Sequence, residues 1–236
     1  MPNTKERSDE PELMDDFALE GETLREALDK IASINTFLGG NKVTLNGVKS
    51  LINGCDAEQN ITIADIGCGN GDMLRALADY ATKNSLNFTL IGVDANAYTI
   101  KHAESLSLNY KNISYQCVDI FGDEFKAEVI DIFVCTLTLH HFKDDEILNL
   151  VKYFHDKAKI GVVINDLHRS NLAYYLFEVI CFVFRLNSMS RQDGLVSILR
   201  GFKKADLVRY SKKLNFKSFS IHWKWAFRYQ WIIKST

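Results

Sequence analysis

The stretch Asn60–Leu77, NITIADIGCGNGDMLRAL, sets an acid, Asp65, two residues ahead of the first of three alternating glycines, Gly67, Gly69 and Gly71. Glycines between an apolar run and a helix-like run permit a tight turn, close approach of a ligand to the backbone, and a helix N-terminus facing that ligand. A dinucleotide loop would read GxGxxG and receive a pyrophosphate. Here the spacing is GxGxG, and a carboxylate beside it suits a cationic ligand better than a diphosphate. Two further acids end β-type runs. Asp94 closes FTLIGVD, 23 residues after Gly71, where a carboxylate can take the ribose hydroxyls of an adenosine at the edge of a doubly wound sheet. Asp119 closes YQCVD, with Ile120 and Phe121 beside it, and is placed to accept from an adenine amino group. Singly, each acid reads as a helix cap or turn residue. Their common order and spacing point to one adenosyl site.

The elements that must carry these residues alternate in type from residue 61 onward, the pattern of a parallel sheet flanked by helices. Strands are expected at 61–66, 88–93, 113–118, 129–135 and 160–165, and helices at about 71–83, 96–108, 144–156, 170–186 and 203–213. The runs FKSFSIHWKWAF and YQWIIK leave no room for a crossover helix, so they predict an antiparallel hairpin that closes the sheet. Upstream, Leu24, Ala27, Leu28, Ile31, Ile34 and Leu38 recur at helical spacing before Gly39 and Gly40. A second short helix is expected over 43–52. The first twelve residues, charged and with nothing to bury, are expected to be disordered, leaving one domain over 13–236 with a helical lid at 13–56, a core at 57–236 and inserted helices around 170–202.

The ordered set DIGCGNG, GVDAN, CVDIF and CTLTLHHF resembles the Rossmann-like, class I S-adenosylmethionine-dependent methyltransferases over about residues 60–236. The resemblance implies a seven-stranded, mostly parallel α/β sheet in the order 3-2-1-4-5-7-6 with strand seven antiparallel. It also implies cofactor contacts from Asp65, Gly67, Cys68, Gly69, Asn70 and Gly71, from Asp94 and Ala95, from Asp119 and Ile120, and from Thr136. Asn35 and the Gly39–Gly40 pair are placed to close over the cofactor. A narrower resemblance, carried by ELMDD, INTFLGG, NDLHRSNLAYY, DGLVSILRGFKKADL and WAFRYQW, is to bacterial small-molecule methyltransferases of polyketide-type and resorcinol-type pathways, a setting in secondary metabolism.

Methyl transfer from a sulfonium is an in-line displacement whose main demands are positioning and exclusion of water. A base is needed where the acceptor must lose a proton. Strand five delivers Asp166, His168 and Arg169 at its end, read as an orienting acid, a base and a binder of an anionic or carbonyl oxygen. The plainer reading makes Asp166 a helix cap paired with Arg169. His140 and His141 end strand four, with either a catalytic or a structural role. Adjacent histidines in HHFKDD lack the i, i+4 spacing of a metal pair and show no third ligand cluster, so no metal is expected.

Composition narrows the partners. The chain has 236 residues, 47% of them hydrophobic, and a formal charge of -2, which offers no footprint for nucleic acid. No NPPY-type tetrapeptide of nitrogen-directed enzymes follows strand four. The expected acceptor is a small, apolar or aromatic, hydroxylated molecule such as a phenol, polyketide or quinone, methylated on oxygen. Methylation of a ring carbon is the nearest alternative, with RNA or protein methylation and cofactor binding without catalysis further off. The five cysteines show no paired spacing and the N-terminus lacks a signal-peptide core, so the expected compartment is the cytoplasm. LAYYLFEVICFVFRL, 172–186, is interrupted by Glu178 and falls short of a span; it is expected to be a buried or interface helix, open to homodimer formation.

Overall fold

The computed structural model describes residues 2–56, 58–122 and 129–235. Seven strands, β1 (Asn60–Ile66), β2 (Asn87–Asp94), β3 (Ile113–Cys117), β4 (Ile130–Thr136), β5 (Ala158–Leu167), β6 (Phe219–Lys224) and β7 (Arg228–Lys234), form one sheet. Its order is β3-β2-β1-β4-β5-β7-β6, with parallel pairing from β3 through β5 and β7 antiparallel to both β5 and β6. Both the parallel core and the terminal hairpin agree with the sequence reading. The hairpin turn is tight because Ala226 and Phe227 adopt positive φ, which lets Lys224 pair with Arg228.

Apolar side chains alternate across the sheet with a period of two. On β1 and β4, Ile61, Ile63, Ile132 and Val134 enter one buried cluster, while Ala64, Ile66, Phe133 and Cys135 enter the other. Strands so covered on both faces read as nearly continuous apolar runs. One face is filled by α3 (Asp72–Lys83), the other by α5 (Asp144–Lys157) and α8 (Lys204–Lys213). Phe133 of β4 stacks on Phe154 of α5 at 4.7 Å between ring centroids. The helix α4 (Ala97–Leu106), capped by the Asn96 side chain, connects β2 to β3. All five cysteines are free.

Departures from the sequence reading concern the elements around the site. The helical segment 13–56 does not act as a single lid. The crevice is covered by α1 (Glu22–Phe37) together with Met14, Asp15 and Phe17, whereas α2 (Gly40–Ile52) is bonded to the sheet through Thr44, which meets Thr136 at 2.7 Å, and through Asn165, whose amide donates to Gly40 O and Thr44 Oγ1, both at 3.0 Å. Gly47 allows this approach, since a Cβ there would stand 2.5 Å from Val163 Cγ1. The returning segment DGLVSILRGF belongs to a helix of its own, α7 (Ser188–Arg200), started by the Asn187 side chain accepting from Ser190 N. Its predecessor α6 (Asn171–Val183) ends before residue 186 because Arg185 turns to positive φ.

The N-terminal residues, expected to be disordered, are held in place; Met1 lies outside the described residues. Ser8 N donates to Leu199 O, and the Arg7 guanidinium donates to the carbonyls of His140, Phe142 and Arg200 and to Asp144 at 2.8–2.9 Å. Charge, not apolar burial, fastens this arm, which hydrophobic periodicity does not reveal.

Candidate active site

A cavity of about 800 Å³ opens at the C-terminal ends of β1, β2 and β4, under α1, α6 and α7. Gly67, Gly69 and Gly71 all adopt the left-handed conformation the turn requires. Their surroundings differ. A Cβ on Gly67 would strike Thr138 and one on Gly71 would strike the Tyr115 hydroxyl, so these two allow packing within the protein. At Gly69 nothing lies closer than Leu28 at 3.9 Å, and its backbone faces the cavity. Gly71, expected to touch the cofactor, is not among the cavity-lining residues; it serves the turn from behind.

Asp65 is buried at the end of β1, and no donor among the described residues meets its Oδ1. Burial, with the nearby Asp72 and Asp94 charges, pushes its carboxyl well above the usual range. Asp94 accepts from Gly69 N at 3.1 Å and Asn96 N at 3.0 Å, which fixes its carboxylate at the cavity edge. Burial outweighs those bonds and raises its pKa. Ala95, Asp119 and Ile120 line the same wall, with Asp119 holding Phe121 N at 2.9 Å and Phe121 edge-on to Phe142 at 5.1 Å. Cys68 also lines the cavity, and Asn70 links the glycine loop to α1 by donating to Asp29 at 3.0 Å. Thr136 reaches the lining with its hydroxyl engaged by Thr44.

The trio expected after β5 is not a trio. Asp166 is fully buried and engages His140, not His168. His140 Nδ1 donates to Asp166 Oδ1 at 2.7 Å, and the His140 backbone N–H donates to Oδ2 at 3.1 Å. Burial raises the Asp166 carboxyl, but the His140 charge and these bonds outweigh it and hold the group below its ordinary value. Helix α6 is capped by Ser170, so Asp166 is no cap either. Arg169 turns away from the cavity into the joint between the N-terminal arm and α8, donating to Thr4 O, Gly201 O and Asp206. His168 does line the cavity, in contact with the rings of Phe227 and Tyr229. Trp223 donates to its Nδ1 at 3.2 Å. An indole N–H only donates, so Nδ1 is unprotonated. Burial, then Lys203 and Arg169, push the imidazole pKa down, leaving a neutral ring whose proton sits on Nε2. The accepting nitrogen of His168 is thus occupied by Trp223.

Three further residues join the cavity that sequence reasoning did not single out. Glu12 is 6% exposed and accepts from Ser197 at 2.6 Å. Among the described residues, its Oε1 has no hydrogen-bond partner and lies 3.7 Å from His140 Nε2, which is also unpartnered. Asp15 takes the His141 Nδ1 proton at 2.6 Å and pairs with Arg200 at 2.7 Å. Arg228, first residue of β7, is 4% exposed with Nε and Nη1 unpartnered, and burial lowers its pKa to about 10 against the pull of Asp166 and Asp72. The sequence did carry a signal for Arg228: a cation beginning an otherwise apolar strand in WAFRYQWIIK.

A family model described as a methyltransferase domain matches residues 63–161. That stretch, less than half of the 236 residues, is similar to such a domain. Solved structures similar to the chain include a SAM-dependent methyltransferase from Aquifex aeolicus, 11% identical, covering 92% of this chain and 100% of that one with a TM-score of 0.63. The plantazolicin methyltransferase BpumL, in complex with a triazolic desmethylPZN analog and SAH, is 15% identical, with coverages of 90% and 98% and a TM-score of 0.63. Magnesium protoporphyrin IX methyltransferase (ChlM) from Synechocystis PCC 6803 with bound SAH is 16% identical, with coverages of 84% and 84% and a TM-score of 0.56. No curated protein matches the chain. The matched stretch runs from within β1 to within β5, over the glycine loop and the three acids, and the fold is that of these solved methyltransferases. Among the described residues, no helix is long and apolar enough to cross a membrane.

Proposed function

We propose that the protein transfers a methyl group from S-adenosylmethionine to an oxygen of a small, largely apolar hydroxylated acceptor. The observation that carries this reading is the pair of buried opposite charges, Asp65 and Arg228, each with an unpartnered atom and both lining one cavity. Buried charges cost free energy unless they are paired, and the amino-acid end of this cofactor brings an ammonium and a carboxylate. Asp72, whose charge bears on both Asp65 and Arg228, lines the same cavity. When bound, S-adenosylmethionine supplies an electrophilic methyl group. Asp65 would hold its ammonium, Arg228 its carboxylate, Asp94 the ribose hydroxyls and the Asp119–Ile120 wall the adenine, while open space at Gly69 admits the chain between them.

The acceptor side is apolar where α1, α6 and α7 meet, with Leu28, Ile31, Phe177 and Ile198 in its wall. Its polar residues are few, as in pockets for drug-sized molecules. His168 offers an N–H donor to an acceptor oxygen, and the wall of Glu12, His140 and His141 offers groups that favour loss of a hydroxyl proton. That titratable wall is what favours oxygen over carbon as the methylated atom. The reaction would take place in the cytoplasm, consistent with five free thiols.

Calorimetry with S-adenosylhomocysteine tests the cofactor assignment. Parent protein should bind it, and Asp94→Ala should bind at least tenfold more weakly. Equal affinity in the variant would overturn the ribose assignment, and no binding by the parent would overturn the reading as a whole. Mass spectrometry after deuterium exchange of phenols and enols incubated with enzyme and labelled cofactor then separates O-methyl from C-methyl products, since the former lose an exchangeable hydroxyl hydrogen and the latter keep it.

A further inference from the structure

We propose that Glu12, His140 and His141 bind one divalent transition-metal ion at the acceptor wall of the cavity. The inference rests on the methyltransferase reading only for the role of the ion, not for its binding. One ligand-capable atom from each of the three side chains lies within 4.8 Å of the others. Two of these residues are more than nine-tenths buried, and their facing atoms, Glu12 Oε1 and His140 Nε2, have no hydrogen-bond partner among the described residues. Their separation of 3.7 Å is too long for a hydrogen bond. It approaches the spacing of about 3.3 Å between ligand atoms on a tetrahedral ion with bonds of about 2.0–2.1 Å.

The surroundings match a metal centre. His141 Nδ1, the atom that lies 3.8 Å from Glu12 Oε1, meets Asp15 at 2.6 Å, while the His140 imidazole donates its Nδ1 proton to Asp166 at 2.7 Å and turns its Nε2 toward Glu12. Histidines that ligate metals usually hold their second nitrogen in this way, which fixes the tautomer and strengthens the ligand. Arg200 forms a longer ion pair with Glu12, its Nη1 3.6 Å from Oε1, and is closest to Asp15 at 2.7 Å, so Oε1 accepts no hydrogen bond from it. Two imidazoles and one carboxylate suit zinc, iron(II), cobalt(II) or nickel(II) better than magnesium or calcium. Three protein ligands leave coordination positions open, and all three residues line the cavity. An acceptor hydroxyl bound at an open position would ionise near neutral pH, and a second oxygen on the adjacent carbon would complete a chelate. The substrate class that fits is a vicinal diol of a ring or an ortho-hydroxy carbonyl compound.

The sequence reading expected no metal because its third ligand is 128 residues from the histidines along the chain. Titration of metal-depleted full-length protein with cobalt(II), followed by visible absorption, decides the matter, with bound zinc counted by elemental mass spectrometry on a second sample. One equivalent should produce ligand-field bands, and affinity should fall at least tenfold in Glu12→Gln and in His141→Ala while His155→Ala titrates like the parent. Absence of a one-equivalent endpoint in the parent would overturn the proposal. Bands that survive both Glu12→Gln and His141→Ala would overturn it equally. Should one variant fail to fold by circular dichroism, the other still decides the ligand set. S-adenosylhomocysteine binding, measured separately on the metal-free parent, fails only if the methyltransferase reading fails.

Discussion

Arg228 is a residue whose cost in the free protein and value in the complex have opposite signs. A buried guanidinium with two unpartnered nitrogens loses hydration without compensation, and its pKa, lowered to about 10, records that loss. Arg228→Met should therefore leave the ligand-free protein as stable or more stable by thermal melting, yet weaken S-adenosylhomocysteine about 10- to 100-fold, the worth of a charge-assisted pair of about 1.5–3 kcal/mol. A lower melting temperature together with unchanged affinity would make the residue structural. His168 invites a second substitution. If its Nε2–H donates to the acceptor, His168→Gln should retain more turnover than His168→Ala at equal cofactor affinity, and equal activities would remove that role. The acids of the glycine loop and of β2 and β3 were legible in the sequence because each ends an apolar run, and the strand that carries it fixes its position. The cluster after β5 was not legible, since the alternation that would set Asp166 and His168 on one face stops at Leu167, where the strand ends.

Elements were read from periodicity wherever one face packs on the sheet, and the seven strands and the helices between them follow that pattern. What periodicity could not show is how closely two elements approach. The α2 helix looked like part of a lid because its apolar stripe resembles that of α1; its contact with the sheet depends on small and polar residues, Gly40, Thr44 and Gly47, that carry little weight in such a stripe. Val163, opposite Gly47, is fully buried and β-branched, with little freedom to move aside. Gly47→Leu should therefore force α2 from the sheet and destabilise the protein by about 1–3 kcal/mol, a fall of roughly 2–12 °C in melting temperature for a domain of this size. An unchanged melting temperature would mean that α2 is not seated as described. The break between α6 and α7 escaped the same reading because the run 172–186 stays apolar past the point where Arg185 turns the chain.

At the scale of the molecule, the N-terminal arm completes the acceptor wall, since it brings Glu12 and Asp15 to the two histidines that follow β4. Composition suggested disorder because the arm has few apolar residues; it is instead held at its far end by Arg7 and Asp144, with Tyr210 donating to Asp144 at 2.7 Å and Arg209 to its second oxygen at 2.8 Å. Burial raises the Asp144 carboxyl, but the bonds from Tyr210 and Arg7 outweigh it, and the group is held below its ordinary value. A carboxyl depressed in the folded state contributes stability above its unfolded pKa of about 3.9 and loses that contribution as pH falls through the folded value. The arm should accordingly stay docked through neutral and mildly acidic pH and loosen only below about pH 4. Arg7→Ala should reproduce the loosening at pH 7, because the guanidinium bridges four acceptors that no other group in the arm replaces. Limited proteolysis should then cut within the first sixteen residues of the variant but not of the parent, and KM for the acceptor should rise several-fold while S-adenosylhomocysteine affinity changes little, since Asp65, Asp94 and Arg228 lie outside the arm. Equal loss of both affinities would show that the arm supports the whole cavity and not the acceptor wall alone.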